Sequence, residues 1–409
     1  MKNIAIESLF PQKPAGILLD NASGKRMLRC AIEAENSYAL GGGTNIGRGA
    51  YRSARVMETA VEESRNAIKT FLGGGAETDL VFTHGTTDGL NLLARCCAKA
   101  FLKPGTNVVT TVAEHHSNLL PWMRACEETG AELRIAKPFV REDSRGNKEV
   151  TFPAEAVCSL LDADTALVTL TGCSNVTGTV LPIAKIAQIA HSMGIPVILD
   201  AAQMAAHQSV DFDTLGCDAL CIGGHKLYGP AGVGAICATK TFLNRLPSDD
   251  LGGGMVEEID LEENTFRLLP GHARFEAGTL PIGQILGFGA AVSCLGQLGM
   301  EHIQSREARL RQYLLERIRP MESYHCICGA DDAAPIVSIV SDALNSLDLA
   351  AFCDANGIAV RAGKHCAHPF MDFLGESSTL RVGICFYNTE AELDRFADLL
   401  LSLERRFRR

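Results

Sequence analysis

Short apolar runs alternate with helical segments through the first half of the chain, and this order limits the possible folds. The runs lie at 80–82, 107–112, 133–136, 166–170, 196–199 and 219–222, and helical patterns separate several of them, at 88–101, 118–128 and 184–193. Strands that are joined by helices form parallel sheets with both faces covered. The sequence therefore predicts an α/β fold built on a mostly parallel sheet.

The pattern changes after about residue 285. One long helical stretch, 285–319, is followed by shorter elements, with strands at 335–340 and 358–361 and helices at 346–356 and 389–407. A chain of 409 residues is long enough for two domains. We expect a large cofactor-binding domain over 15–285 and a small α+β domain over 286–409, with residues 1–14 packing on the small domain.

Composition argues against several classes of protein. The net charge is −10, and no basic run occurs before the terminal segment 405–409, so we expect no nucleic-acid binding. No apolar run reaches the roughly 18 residues of a membrane helix. Glu7 interrupts the first residues, which is unlike a secretory signal. The fifteen cysteines include no Cys-x-x-Cys pair, so we expect free thiols in a reducing cytoplasm and no zinc site.

One lysine points to a cofactor. Lys226 follows Gly223-Gly224-His225 and precedes Tyr228-Gly229-Pro230, a tight backbone setting that a solvated surface lysine does not need. Asp200 ends an apolar run 26 positions before it. A lysine that forms an imine, with a carboxylate that keeps a pyridine nitrogen protonated, is typical of enzymes that use pyridoxal 5′-phosphate (PLP). Taken alone, Asp200 could equally cap a loop.

Two further strand ends carry polar groups. Thr86 and Thr87 follow a strand and open a helix, where backbone N–H groups favour an anion such as the cofactor phosphate. By itself, the Thr-Asp pair is more often a helix cap. His115 could stack on a pyridine ring and take part in proton transfer, although adjacent histidines on a loop are more often surface residues or metal ligands.

Asn175 and Gln203 also lie where strands end. Asn175 could donate a hydrogen bond to the phenolic oxygen of PLP, and Gln203 could contact the same oxygen from the turn after Asp200. The alternative for Asn175 is an Asn-Gly-rich turn.

The second domain supplies a thiol and two guanidinium groups. Cys366 lies five positions after Arg361, beside Lys364 and His365, and neighbouring cations increase the thiolate fraction that a nucleophile needs. Arg361 and Arg381 are predicted at strand edges, where each could hold an amino-acid carboxylate through two parallel hydrogen bonds.

Together these segments resemble the SufS-like (group II) cysteine desulfurases of the class V aminotransferase fold. The resemblance covers nearly the whole chain, and its motifs are Leu19-Asp20-Asn21-Ala22, His84-Gly-Thr-Thr87, Glu114-His-His-Ser-Asn118, Ser174-Asn175-Val-Thr-Gly178, Asp200-Ala-Ala-Gln203, Gly224-His-Lys-Leu-Tyr-Gly-Pro230, Phe275-Glu-Ala-Gly-Thr279, Arg361-x-Gly-x-His-Cys366 and Arg381-x5-Tyr387-Asn-Thr389. It implies a PLP-dependent transferase of fold type I, with a mostly parallel seven-stranded sheet.

The resemblance also implies roles for individual residues. Lys226 would hold PLP, His115 would stack on its ring, and Thr87 with His225 would hold its phosphate. The cofactor-binding set is Thr86, Thr87, His115, Asn175, Asp200, Gln203, His225, Lys226 and, reaching across a homodimer, Thr279. The catalytic set is Lys226, Cys366 and His115, and the substrate-binding set is Asn175, Arg361 and Arg381.

The activity implied is removal of sulfur from L-cysteine, which leaves L-alanine and a persulfide on Cys366 for a sulfur-acceptor protein. L-Selenocysteine is a second candidate substrate, and the use of the sulfur, in iron–sulfur clusters, thiolated tRNA or another pathway, is left open. The alternatives are another PLP-dependent C–S lyase or aminotransferase of this fold in which Cys366 is incidental, and a non-enzymatic relay protein.

The sequence departs from the family pattern at three places. Gly223 stands where the family usually has a serine that contacts the phosphate. Lys364 replaces a common histidine, and Asn45-Ile-Gly-Arg-Gly-Ala-Tyr51 differs from the usual Asn-x-His-Arg-Gly. These differences bear on phosphate affinity and on substrate preference.

Overall fold

The structure, a computed structural model, describes residues 6–12, 15–47 and 49–407. The predictions that concern residues 1–5, residues 13 and 14, Arg48 and the last two residues of the basic tail lie outside the described residues. The strands, in chain order, are β1 (Ile17–Leu18), β2 (Thr78–Thr83), β3 (Asn107–Thr111), β4 (Glu132–Ala136), β5 (Phe139–Glu142), β6 (Lys148–Thr151), β7 (Thr165–Thr171), β8 (Val197–Asp200), β9 (Ala219–Gly223), β10 (Gly234–Thr239), β11 (Val256–Asp260), β12 (Thr265–Leu268), β13 (Tyr324–Gly329), β14 (Ile336–Ser341), β15 (Ile358–Ala359), β16 (Arg361–Gly363) and β17 (Thr379–Gly383).

Helices connect and cover these strands. In chain order they are α1 (Arg29–Leu40), α2 (Arg52–Phe71), α3 (Thr86–Phe101), α4 (Leu120–Thr129), α5 (Ala154–Cys158), α6 (Ile183–Ser192), α7 (Met204–His207), α8 (Phe212–Leu215), α9 (Lys240–Arg245), α10 (Ile282–Leu298), α11 (Met300–Ile318), α12 (Ser346–Ala355), α13 (His368–Phe373) and α14 (Glu390–Phe407).

A seven-stranded sheet forms the larger layer, in the order β2-β10-β9-β8-β7-β3-β4. Every neighbouring pair from β9 to β4 is parallel, and β10 lies antiparallel between β2 and β9. The prediction of a mostly parallel sheet is confirmed. Because β3, β7, β8 and β9 run in the same direction, the loops that follow them meet at one edge of the sheet.

Helix α10 packs against α1 and α2, and its glycines allow this close approach. A side chain at Gly289 would put its Cβ 2.7 Å from the Cβ of Ser64 on α2, and one at Gly287 would lie 3.0 Å from the carbonyl oxygen of Ala31 on α1. Glycine in the middle of a helix is unfavourable by itself. Here the close packing of three helices compensates for that cost.

A second, six-stranded sheet has the order β16-β17-β14-β13-β6-β5. Its first four strands come from the C-terminal part of the chain, but β5 and β6 come from 139–151, and β6 pairs with β13 in parallel. Helix α10, which the predicted division at 285/286 cuts, packs on α1 and α2. The domain limits stay a prediction. The pairing of β6 with β13 and the packing of α10 on α1 and α2 both cross the predicted division.

The predicted helix over 285–319 is two helices. The chain turns at Gly299, whose φ is 82°, and α10 and α11 meet at an angle of 77°. Leucine and isoleucine continue on both sides of the turn, so the hydrophobic pattern does not reveal it. Among the described residues no single helix is long and apolar enough to cross a membrane, and only the bent pair α10–α11 meets that test by length and composition.

Candidate active site

A cavity of about 630 Å³ opens where the strands of the large sheet end and the six-stranded sheet approaches them. The predicted site residues that line it are Thr86, Thr87, His115, Asn175, Asp200, Gln203, His225, Lys226, Arg361, Cys366 and Arg381. Thr279 lies elsewhere, exposed in the loop before α10. Residues from both sheets and their loops therefore meet at one site.

Lys226 lies in a single turn of 3-10 helix directly after β9. Its Nζ donates a hydrogen bond to the carbonyl oxygen of Ala22. Burial, together with the positive charges of Arg381 and Lys25, lowers the pKa of Lys226 to about 7. Burial therefore favours the neutral amine, the form that can attack a carbonyl carbon or accept a proton.

Asp200 is the last residue of β8 and is buried. Burial raises its pKa to about 6, against a lowering effect from Lys226, so the group is mostly ionised at pH 7. Its Oδ1 accepts a hydrogen bond from the backbone N–H of Ala202 at 3.0 Å. Gln203 lies nearby and donates through Nε2 to the carbonyl oxygen of Ala22 at 2.7 Å.

Helix α3 begins at the cavity. Gly85 precedes it with a φ of 135°, a conformation that favours glycine, and Gly85, Thr86 and Thr87 line the cavity. Thr87 Oγ1 lies 2.8 Å from Ser117 Oγ. Thr86 Oγ1 is buried and has no hydrogen-bond partner. A side chain at Gly223 would place its Cβ 2.8 Å from that same oxygen.

His115 follows β3 and is neutral. Burial and the charge of Lys226 lower its pKa to about 4. Its Nδ1 accepts a hydrogen bond from the backbone N–H of Ser117 at 3.1 Å, so the ring proton resides on Nε2. His225 is neutral as well, because burial and Lys226 lower its pKa to about 4. Both rings can therefore donate one N–H to a bound anion or oxygen.

The two arginines are neighbours across a strand pair, since Arg361 on β16 faces Arg381 on β17. Both contact Asp20. Nη2 of Arg361 lies 2.9 Å from Asp20 Oδ2 and its Nε lies 3.1 Å from the same oxygen, whereas Nη2 of Arg381 lies 3.3 Å from Oδ1. Arg381 is buried, with 3% of its side chain exposed, and Arg361 is 51% exposed.

Cys366 is exposed and lies in the loop between β16 and α13, with its side chain at the cavity. Both His365 and Cys366 have left-handed backbones, with φ values of 53° and 55°. Non-glycine residues adopt this conformation only where their surroundings hold them in it. Asn175 Nδ2 donates to the carbonyl oxygen of His365 at 2.7 Å, and the backbone N–H of His116 donates to that of Cys366 at 2.8 Å.

A pair of histidines also anchors this loop. The rings of His116 and His368 stack 4.7 Å apart, with His368 Nδ1 lying 2.9 Å from His116 Nε2. Lys364, whose role the sequence leaves open, pairs with Asp372 at 2.5 Å. The loop that carries Cys366 is thus connected to the large sheet's loops and to α13.

Several buried polar atoms at this site have no partner. They are Thr86 Oγ1, Asn175 Oδ1, Gln203 Oε1, His365 Nδ1 and Arg381 Nε, and all five residues line the cavity. A buried polar atom without a hydrogen bond is costly. Their concentration in one cavity indicates that it is built to receive a polar molecule.

Sequence reasoning missed three contributors. Asp20, Ser23 and Ser117 lie against the arginines, Thr87 and His115. Asp20 and Ser117 belong to motifs that carry the family resemblance, so the signal was present, but neither received a role. Asp20 lies 341 positions from Arg361 and Ser23 lies 358 positions from Arg381, so spacing does not reveal these contacts. Ser117 lies 30 positions from Thr87, whereas its contact with His115 is local.

Comparison with known proteins places the chain in a family. The model of the class-V aminotransferase family matches residues 17–396. A probable cysteine desulfurase from Halalkalibacterium halodurans is 34% identical over 398 residues, which cover 96% of this chain and 95% of the relative. A cysteine desulfurase from Cronobacter sakazakii is 35% identical, with 95% and 93% covered.

A solved structure gives the same result. The apo structure of a cysteine desulfurase from Thermococcus onnurineus NA1 is 30% identical and superposes with a TM-score of 0.89, covering 98% of this chain and 97% of that one. The fold, the matched family model and the relatives agree along nearly the whole length. The chain belongs to the class-V aminotransferase family.

Proposed function

We propose that this protein is a PLP-dependent cysteine desulfurase of the SufS-like group. One observation carries the proposal: the cavity that contains the low-pKa lysine also contains an exposed thiol, Cys366, and a pair of arginines. Lys226 and Asp200 suit any PLP enzyme. The thiol is the feature that favours transfer of sulfur, and the relatives named cysteine desulfurases agree with this reading.

The cavity fits PLP in the chemistry of its donors. The unpartnered hydroxyl of Thr86 and the first turn of α3 suit a phosphate, and the ionised, buried Asp200 suits a protonated pyridine nitrogen. The amide oxygen atoms of Asn175 and Gln203 are unpartnered acceptors in the same cavity. When bound, PLP withdraws electrons from the α-carbon of an amino acid.

Lys226 would both hold the cofactor and move protons. Its pKa of about 7 allows it to take the proton from the substrate α-carbon and to return one to the product. His115, neutral and protonated at Nε2, is placed to donate at the same cavity. Arg381 would fix the substrate through its carboxylate, because its Nε is buried and unpartnered.

Cys366 would perform the sulfur transfer. Its thiolate attacks the substrate sulfur, an S–S bond forms, and the Cβ–S bond breaks with its electron pair remaining on the carbon side. Protonation of that carbon gives L-alanine, and the protein keeps a persulfide. Atoms balance, since one L-cysteine and one thiol give one L-alanine and one persulfide. The sulfur then passes to an acceptor protein, which an exposed thiol can reach.

Product analysis tests this function. The purified protein with L-cysteine and a thiol reductant should release one L-alanine for each sulfide. A C–S lyase that works by β-elimination would instead release pyruvate and ammonia. Pyruvate as the main product would contradict the proposal.

Thr86 should contribute to cofactor affinity, because its hydroxyl occupies the space next to Gly223 where the family usually has a serine. We expect Thr86→Val to weaken PLP binding to the apoprotein by about 10- to 100-fold, the value of one hydrogen bond to a charged group. An absorbance titration measures this constant.

Thr110→Val is a matched control for that experiment. Its hydroxyl is also buried and unpartnered, but it lies on β3 outside the cavity lining. Equal PLP affinity of Thr86→Val and Thr110→Val would contradict the assignment.

We also infer a homodimer in which Thr279 of one subunit approaches the cofactor phosphate of the other. The hairpin β11–β12 exposes large apolar side chains, with Leu261 87% and Phe266 57% exposed, and Thr279 is exposed too. A second copy that covers this surface would explain the exposed apolar area. Sedimentation should give a dimer mass that Leu261→Asp shifts toward the monomer, and a wild-type monomer would contradict the inference.

Activity toward L-selenocysteine follows from the same chemistry and stays a prediction, as does the pathway that receives the sulfur. A cytoplasmic location is proposed from the fifteen thiols, all of which are free.

A further inference from the structure

The carboxylate of Asp20 contacts the guanidinium groups of Arg361 and Arg381, which a substrate carboxylate would need. Asp20 lies just after β1, and its Oδ2 accepts from Nε and Nη2 of Arg361 at 3.1 and 2.9 Å. Its Oδ1 lies 3.3 Å from Nη2 of Arg381 and accepts from Ser23 Oγ at 2.6 Å. A carboxylate of the protein therefore stands where an amino-acid carboxylate is expected.

Arg381 retains an unused donor beside this contact. Its Nη1 donates to the carbonyl oxygen of Asn175 at 3.0 Å, and its Nη2 donates to Ser23 Oγ at 2.7 Å and contacts Asp20. Its Nε is buried and has no partner. A carboxylate that binds through two parallel hydrogen bonds would use the Nε and Nη2 edge. Such a ligand would compete with Asp20 for Nη2.

We propose that Asp20 is an internal competitor of the substrate carboxylate, which holds both arginines in the empty site and yields the Nε/Nη2 edge of Arg381 when an amino acid binds. This inference rests on the proposed function, in which the arginines bind the substrate carboxylate. Two guanidinium groups and one carboxylate leave a single net positive charge. The cluster therefore matches amino acids with one carboxylate rather than two.

Asp20 remains ionised under ordinary conditions. Burial alone would raise its pKa, but hydrogen bonds from Arg361 and Ser23 and the charges of both arginines outweigh burial and leave the pKa below its usual value. Asp20 therefore competes with a ligand carboxylate for Arg381 throughout the range near neutral pH.

Removal of the Asp20 charge should strengthen carboxylate binding. An opposing effect, which would weaken carboxylate binding, is disorder of Arg361. This side chain is 51% exposed and would lose Asp20 as its partner. Arg381, by contrast, is 3% exposed and keeps Asn175 and Ser23 as partners. The Nε/Nη2 edge of Arg381 therefore stays in place without Asp20. Because a competing negative charge is lost, we expect the affinity for a carboxylate to rise.

Propionate tests this inference because it has the carboxylate but neither the amine nor the thiol. Calorimetric titration of the purified holoenzyme should show about tenfold tighter propionate binding in Asp20→Asn than in the wild type, or about 1.4 kcal/mol. Asp20→Glu, which keeps the charge, should restore weak binding. Arg381→Lys in the Asp20→Asn background should abolish the gain.

A second substitution at Asp20 guards against the case in which one variant fails to fold. Asp20→Ala should show the same gain as Asp20→Asn, and thermal unfolding identifies a variant that has lost its fold. Equal or weaker propionate binding in folded Asp20→Asn or Asp20→Ala would overturn the inference. Absence of measurable binding in all of these proteins would overturn it as well.

The kinetic measurement separates this inference from the proposed function. In Asp20→Asn the KM for L-cysteine should fall severalfold without a rise in kcat, because only ground-state competition is removed. If the wild type forms no L-alanine, the proposed function fails, while the propionate titration still decides the role of Asp20. If L-alanine forms and propionate affinity does not rise, only the Asp20 inference fails.

Discussion

Replacing Cys366 by alanine is expected to lower the formation of L-alanine from L-cysteine by at least about 10²-fold, since removing a covalent nucleophile takes away the step that breaks the C–S bond. The absorbance band of the bound cofactor should remain, because no described contact joins the Cys366 side chain to Lys226 or Asp200. The measurement is alanine per enzyme under single- and multiple-turnover conditions, with the cofactor band recorded on the same sample.

Cys158→Ala is the matched control for this substitution. Cys158 is a half-buried thiol at the end of α5 and does not line the cavity. We expect it to form alanine at the wild-type rate. Undiminished alanine formation by Cys366→Ala would show that the thiol is incidental, and would favour another C–S lyase or aminotransferase of this fold.

Replacing Lys226 by alanine should abolish the cofactor absorbance band near the visible edge and lower turnover by at least about 10³-fold, within the range that positioned proton-transfer groups contribute. The physical reason is that Lys226 combines burial with a pKa of about 7, so that it supplies a neutral amine near physiological pH. An absorbance spectrum and an alanine assay measure the two effects.

An exposed lysine serves as the control for that variant. Lys137 lies between β4 and β5 and is exposed, so Lys137→Ala should keep both the band and the activity. A full cofactor band in folded Lys226→Ala would exclude Lys226 as the covalent attachment point. The assignments of Asp200 and His225 would then need a different cofactor geometry.

Sheet topology explains why some residues of the site could be placed together from the sequence. Asp200 ends β8 and Lys226 follows β9, its parallel neighbour. Thr86 follows β2, which runs in the same direction as β9 because β10 lies antiparallel between them. The ends of strands that run in one direction meet at one edge of a sheet. The order of strands and helices was enough to bring them together. Cys366 required more, because it comes from the loop between β16 and α13, and its family motif supplied the expectation.

Other features were invisible to pattern reading. The turn at Gly299 leaves the hydrophobic pattern of the helices unbroken, so one helix was expected where two occur. Strands β5 and β6 are short, and most of their residues are charged or exposed. Strand β6 gains stability from pairing with β13, about 180 residues away in the chain, and β5 gains it from pairing with β6. Local propensity carries no information about such a partner.

The sequence by itself determined the parallel α/β sheet, the positions of Lys226 and Asp200 at the ends of neighbouring strands, and the family to which the motifs point, because these depend on periodicity and on residues close in the chain. Only the tertiary structure decided that Asp20 already occupies Arg361 and Arg381, that Thr86 fills the space beside Gly223, and that Asn175 holds the loop of Cys366. Each of these contacts joins segments that are far apart in sequence. Their energies depend on distance, burial and charge in the folded protein, which no local pattern encodes.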